Sequence, residues 1–210
     1  MLSNLYLNEV DRMLEKAVDV TGRGKSTNVQ YARFADDLVV LIDAERRNDW
    51  LVKAVNKRLR EEFAKLRVAV NEDKTRIVDA KDGFDFLGVH FRKQPSRRDA
   101  SKWFCYCWPS QRSMQRIRDK VKAAIARDNR PTLQEKLDRL NPILRGWSAY
   151  FGWLNAAQHF RKVDQYVTWK LRRWLQAKHQ RRRRAFWKTP LAYWRKAGLY
   201  STQGRIVHKS

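Results

Sequence analysis

What most constrains this chain is the position of its charge. The 210 residues carry 46 Lys and Arg against 22 Asp and Glu, a net of +24. Residues 1–94 hold 18 basic and 16 acidic residues, whereas residues 95–210 hold 28 and 6. A near-neutral half can close around its own ion pairs. A half so rich in cations must spread them over a surface, and such a surface suits a polyanion. The second half therefore reads as a nucleic-acid-binding region, and the first half does not. The bland alternatives on charge alone are a ribosomal-type protein or a binder of anionic membranes. Nine Trp and nine Phe among 43% apolar residues supply a core and argue against wholesale disorder. That is enough for one ordinary domain or two small ones.

No apolar run approaches the roughly eighteen residues of a membrane span, so no membrane partner is expected. The start, Met1-Leu2-Ser3-Asn4, shows no basic segment leading into an apolar one, hence no secretory signal. Cys105 and Cys107 are too few for a disulfide framework. Together these features suggest a reducing, cytoplasmic setting.

Leu2, Leu5, Val10, Met13, Leu14 and Val18 recur at helical spacing and predict an amphipathic helix. Thr21 to Ser26 is a breaker cluster, expected as a mobile loop. Val29–Phe34 and Leu38–Ile42 flank Ala35-Asp36-Asp37 and read as a β-hairpin whose connection carries the acidic pair. Helical periodicity returns from Glu45 to Leu66. Short strands are expected at Arg67–Val70, Arg76–Val78, Phe84–Phe91 and Trp103–Trp108. The polar stretch Gln94 to Asp99 coincides with the change in charge balance and marks the expected domain boundary. Beyond it the sequence is helical nearly to the end. Thr132-Leu133-Gln134-Glu135 is a capping-box signature, Val163–Leu175 a long helix rich in Trp and Arg, and the residues after Tyr200 a tail.

Asp36 and Asp37 carry the strongest hint of chemistry. Two adjacent carboxylates at a strand junction repel each other and call for a cation. Mg²⁺ favours carboxylate and phosphate oxygens together. In nucleotidyl transfer two such ions about 4 Å apart hold the attacking and leaving oxygens. An Asp-rich turn without a metal is the bland reading. Cys105-x-Cys107, with no partner His pair, does not make a zinc site, and His159, His179 and His208 show no ligand spacing.

The segment Tyr31-Ala32-Arg33-Phe34-Ala35-Asp36-Asp37-Leu38-Val39-Val40 resembles the catalytic hairpin of reverse transcriptases, in the form typical of group II intron enzymes. Further resemblances follow in order. Leu2 to Asn8 resembles the palm helix after the Pro-Gln-Gly loop. Asn71-Glu72-Asp73-Lys74-Thr75 resembles the Asn-x-x-Lys-Thr element, and Phe84-Asp85-Phe86-Leu87-Gly88 the primer-grip turn. Asn141 to Phe151 resembles the maturase, or X, region that forms the thumb.

The resemblance implies an α+β palm fragment over residues 1–94, then an all-α helical thumb/maturase domain of about three helices over 95–210, with a basic tail. It implies that Asp36 and Asp37 belong to a Mg²⁺-binding carboxylate set, with Asp36 the more direct ligand. Lys74 would lie near the incoming triphosphate as a general acid. Phe84, Phe86 and Gly88 would shape the primer grip, although both Phe side chains read equally well as core. Arg145, Arg161, Lys162, Lys170, Arg172, Arg173 and the run Arg181, Arg182, Arg183, Arg184 are the candidate phosphate contacts. The family's other metal-binding aspartate, the fingers and the Pro-Gln-Gly loop have no counterpart in the sequence, so the two-metal site is expected to be incomplete. A truncated, split or degenerate reading frame is expected, with a separate N-terminal fingers/palm polypeptide as a candidate partner. The implied partners are group II intron RNA, template-primer nucleic acid and target DNA. The implied function is RNA-directed DNA synthesis and intron splicing. The runner-up is an RNA-binding maturase remnant without polymerase activity. A basic coating protein would leave the ordered motifs unexplained.

Overall fold

The computed structural model describes residues 7–23, 26–43, 45, 48–96, 98–126, 130–179 and 190–204. The chain forms two compact units, residues 1–77 and residues 78–210.

The first unit opens with helix α1 (Asn8–Thr21), which buries Val10 and Leu14 as its apolar spacing predicts. Leu2 and Leu5 lie outside the described residues. The breaker cluster forms a small antiparallel pair, β1 (Gly22–Arg23) and β2 (Ser26–Thr27), rather than a plain loop. Strands β3 (Val29–Phe34) and β4 (Asp37–Ile42) then pair antiparallel, with Phe34 opposite Asp37. Their inner face packs with α1 and helix α2 (Asp49–Lys65) around Val10, Leu14, Val29, Leu51 and Val55. Each such side chain, fully buried, contributes about 1.5–3 kcal/mol.

Arg67–Val70 and Arg76–Val78 do not become strands. Arg67 takes a positive φ of 53°, and Ile77 and Val78 stay exposed. An extended segment needs a neighbour for its N–H and C=O groups; the described residues pair no strand with these two, and the Arg67 and Val68 amides donate back to Ala64 and Phe63 instead.

The second unit pairs a sheet with helices. Strands β5 (Phe84–Phe86), β6 (Val89–Pro95) and β7 (Trp103–Pro109) form an antiparallel meander in that order. Pro95 stands opposite Trp103, and the Ser96 amide donates to the Lys102 carbonyl at 2.7 Å. The polar stretch expected as a domain boundary is therefore a hairpin connection within one sheet. Its Pro and Ser residues signalled a turn, and the charge step only coincides with it.

Three helices follow the sheet: α3 (Gln111–Ala124), α4 (Leu133–Phe151) and α5 (Ala157–Lys178). The predicted capping box is present at α4. Thr132 Oγ accepts the Glu135 amide at 3.2 Å, and Glu135 accepts the Thr132 amide at 3.0 Å. Leu137, Leu140, Leu144, Val167 and Leu171 fill the interhelical core, with Trp194 from the short helix α6 (Leu191–Lys196). Helix α4 runs on through Pro142. Its missing N–H loses one backbone bond, and burial of the leucines on both sides holds the helix.

The residues after Tyr200, expected as a tail, are docked as far as they are described. Asp164 of α5 is buried and accepts Ser201 Oγ at 2.8 Å, Thr202 N at 3.0 Å and Thr202 Oγ at 2.8 Å. The amide and side chain of Gln203 also donate to it, both at 3.3 Å. Asn141 clasps the same segment, donating to the Gly198 carbonyl and accepting the Tyr200 amide.

Candidate functional site

In the first unit, the strand alternation points Val29, Tyr31 and Arg33 inward and leaves Phe34 on the outer face. Asp36 lies in the two-residue turn and Asp37 opens β4; both are exposed. Ala35, the first turn residue, has φ +54°. A two-residue hairpin commonly needs positive φ there, and glycine takes it without strain. An alanine in that region costs on the order of 1 kcal/mol.

Arg33 holds the turn in place. Its Nε donates to Asp11 of α1 at 2.8 Å, its Nη2 donates to the second Asp11 oxygen, and its Nη1 donates to the Ala35 carbonyl at 3.0 Å. One guanidinium thus ties α1 to the backbone immediately before the acidic pair. A planar fork suits this task, because a bidentate carboxylate bond fixes its orientation while a donor is left over. The hydrogen bond to Asp11 also raises the Arg33 pKa, so it stays charged.

Lys74 sits in an exposed turn built by Asn71. The Asn71 carbonyl accepts the amides of Lys74 and Thr75 and the Thr75 hydroxyl, and its side chain accepts the Lys74 amide at 3.2 Å. That accounts for the Asn and Thr of the element as turn formers. Among the described residues no ion pair joins Lys74 to Asp36 or Asp37.

Asp36 and Asp37 offer hard oxygen donors of the kind Mg²⁺ prefers. Among the described residues, no group of three or more His, Cys, Asp or Glu stands together to hold a metal ion. The pair therefore fits part of a coordination shell and does not by itself form a two-metal centre.

The candidate grip turn belongs to the second unit. Leu87 and Gly88 take φ of +49° and +79°, the primed turn that matches strand twist. Both carbonyls are fixed by helices: Tyr150 Oη donates to Leu87 at 3.0 Å and Ser113 Oγ to Gly88 at 2.8 Å. The Ser110 amide also donates to the Gly88 carbonyl, at 2.9 Å. A Cβ on Gly88 would lie 2.6 Å from Ser113 Oγ, so glycine is required by space as well as by φ. Phe84 is half-buried and stacks on Phe91, with ring centroids 5.4 Å apart; Phe86 is half-buried too.

Of the candidate phosphate contacts, Arg161, Lys162 and Arg173 are exposed on α5, with Lys170 and Arg172 half-buried. Arg161 and Arg173 share a row at four-residue spacing with Gln165 and Trp169. Lys170 lies 5.1 Å from the Trp169 ring and Arg173 5.0 Å. Beside them, burial first and Asp119 second push the Tyr166 pKa up, against the opposing charge of Arg118 on α3. Arg145 belongs to α4 and covers the ring of Tyr200 at 5.5 Å. Arg181 to Arg184 lie outside the described residues.

Sequence reading missed the Arg33–Asp11 clamp, the Ser113 and Tyr150 donors, and Trp169. The local signal for Ser113 was visible in Ser110-Gln111-Arg112-Ser113, an N-cap in which Ser110 accepts the Ser113 amide at 3.2 Å. The clamp joins residues 22 positions apart and leaves no local trace.

No helix among the described residues is long and apolar enough to cross a membrane. Residues 1–91 match the family described as reverse transcriptase (RNA-dependent DNA polymerase), and residues 114–194 match the group II intron maturase-specific domain. The chain is also similar to Protein YkfC of Escherichia coli (strain K12), at 30% identity over 121 aligned positions. That alignment covers 46% of this chain and 31% of the relative, so the chain spans about a third of the length of that protein.

Proposed function

Because the chain belongs to the group II intron reverse transcriptases/maturases, we propose that it serves RNA-directed DNA synthesis and the binding and splicing of intron RNA. The unit of residues 1–77 supplies the palm part of this reading, and the unit of residues 78–210 the grip turn and the thumb/maturase part. The observation that carries the reading is the β3–β4 tip, where two exposed carboxylates stand on a turn whose backbone Arg33 clamps.

In this family the chemistry uses a divalent ion, usually Mg²⁺. When bound, it stabilises charge on the oxygens that attack and leave. The chain's own part is positional. Asp36 and Asp37 present hard oxygens, and Arg33 keeps the tip from splaying. Lys74 stands for proton delivery to pyrophosphate. The Phe84–Gly88 turn holds the primer end, and its docking on Ser113 and Tyr150 makes it move with α3 and α4. Arg145, Arg161, Lys162, Lys170, Arg172, Arg173 and Arg181 to Arg184 contact phosphates of intron RNA and template-primer.

The test is Mg²⁺-dependent primer extension on an RNA template, comparing the chain with its Asp36→Asn/Asp37→Asn variant. Extension by the chain that drops to background in the variant, with RNA affinity unchanged, supports the reading and means that a further carboxylate completes the site that Asp36 and Asp37 begin. No extension from a chain that still binds RNA would instead support the second reading, an RNA-binding maturase part without polymerase activity. That reading is favoured by one observation: the charge excess lies in the unit that does not hold the acidic pair.

A further inference from the structure

Most Trp side chains on the helices of the second unit serve its core. Trp194 is fully buried, Trp174 nearly so, and Trp147 packs against the same cluster. Trp169 does otherwise. It is 36% exposed in the outer row of α5, with Tyr166 one turn away at a ring separation of 5.8 Å. Lys170 reaches over both rings, and Arg173 lies over the indole.

Cation–π pairing accounts for the order of these side chains, but not for placing a large apolar ring in a basic row. The two halves of the patch favour the two halves of an unpaired nucleotide. A continuous A-form duplex keeps its bases stacked inside and shows mainly phosphates and 2′-hydroxyls, which cations alone can hold. An unpaired nucleotide also offers a free base face, which an aromatic ring can stack. The lysine and arginine heads are long and mobile at the tip, so a phosphate can draw them aside and free the ring.

We propose that Tyr166 and Trp169, with Lys170 and Arg173, form a stacking platform for unpaired RNA nucleotides, such as a loop, bulge or single-stranded end. The proposal rests on the reading that this unit binds RNA, and it specifies which part of the RNA lies on α5.

The test compares equilibrium binding of the full chain to an unstructured mixed-sequence oligoribonucleotide and to a blunt RNA duplex of equal length. Trp169→Ala is expected to weaken binding of the unstructured RNA by about five- to a hundred-fold, the effect of losing one base–aromatic stack. Duplex affinity should stay within about twofold, as for a surface substitution that removes no contact. The dependence on salt should not change, since no charge is lost. Trp169→Phe should retain most of the affinity, which separates loss of stacking from loss of fold. Equal weakening on both RNAs, or none on the unstructured RNA while the unaltered chain binds it well, would overturn the platform alone. Absence of salt-dependent binding by the unaltered chain would overturn the RNA-binding reading and the platform with it.

Discussion

The two units treat their cations differently. Residues 1–77 hold 15 basic and 13 acidic residues, and several described cations there pair with carboxylates. Arg12 pairs with Glu9, Arg33 with Asp11, Arg60 with Glu72 and Lys65 with Glu62. Residues 78–210 hold 31 basic and 9 acidic residues. There Lys102 pairs with Asp99, but more of the described cations lie over aromatic rings: Lys81 on Trp103, Lys136 and Lys178 on Trp174, Arg145 on Tyr200, Lys170 and Arg173 on Trp169. A carboxylate cancels a cation's field, whereas a ring orients the cation and leaves its charge in place. The first unit therefore stays near-neutral around its acidic turn, and the second keeps a field that a polyanion can answer.

Asp164 is the carboxylate that tests this contrast most severely, because it sits buried in the basic unit and takes hydroxyl and amide donors. Asp164→Ala leaves the donors of Ser201, Thr202 and Gln203 without their acceptor. It should cost about 3–5 kcal/mol, since several hydrogen bonds to one carboxylate, each worth about 1.5–3 kcal/mol when the acceptor is charged, are lost together. Urea unfolding followed by near-ultraviolet circular dichroism would show it. A cost below about 1 kcal/mol, the usual size for a surface change, would mean that the segment is not anchored there.

Arg33→Ala probes the opposite rule in the first unit. Losing charged hydrogen bonds to Asp11 should cost about 2 kcal/mol, and primer extension should fall while RNA affinity holds. Arg33→Lys should recover charge but not the two-sided hold, so a full rescue of extension by lysine would reduce the clamp to a simple ion pair.

The smallest effect concerns pH. Burial, and after it the charge of Lys162, holds the His159 pKa below the ordinary imidazole value. The unfolded chain therefore takes up this proton first as pH falls through about 6.5. Stability from the neutral ring is complete above that pH and is lost as pH falls toward the folded value. His159→Phe keeps a ring against Trp108, with which His159 stacks, and should flatten the pH dependence of melting between neutral and mildly acidic buffer. An unaltered profile would place the titration elsewhere.

What the sequence made legible was local. The acidic hairpin follows from two apolar runs around a short polar connection, and the α4 cap from four consecutive residues. The long row on α5 follows from helical periodicity. What stayed hidden depends on distant partners. Ser201-Thr202-Gln203 reads as a polar tail because its acceptor, Asp164, lies 37 to 39 residues away. The stretch near Pro95 reads as a linker because its strand partner, Trp103, comes after the turn. Arg67–Val70 has the composition of a strand, and composition does not provide a neighbouring edge. At the candidate site, the residue types of the acidic pair and grip turn were readable; the Arg33, Ser113 and Tyr150 contacts that hold them were not.

The most direct measurement is the slope of log K against log salt for binding of a structured group II intron RNA. The account predicts a steep linear fall for the chain, unchanged by Asp36→Asn/Asp37→Asn. The slope should become shallower by about one for each phosphate contact removed in Arg161→Ala/Lys162→Ala/Lys170→Ala/Arg173→Ala. A slope that the α5 variant leaves intact, or that the acidic-turn variant changes instead, would contradict the division of work between the two units.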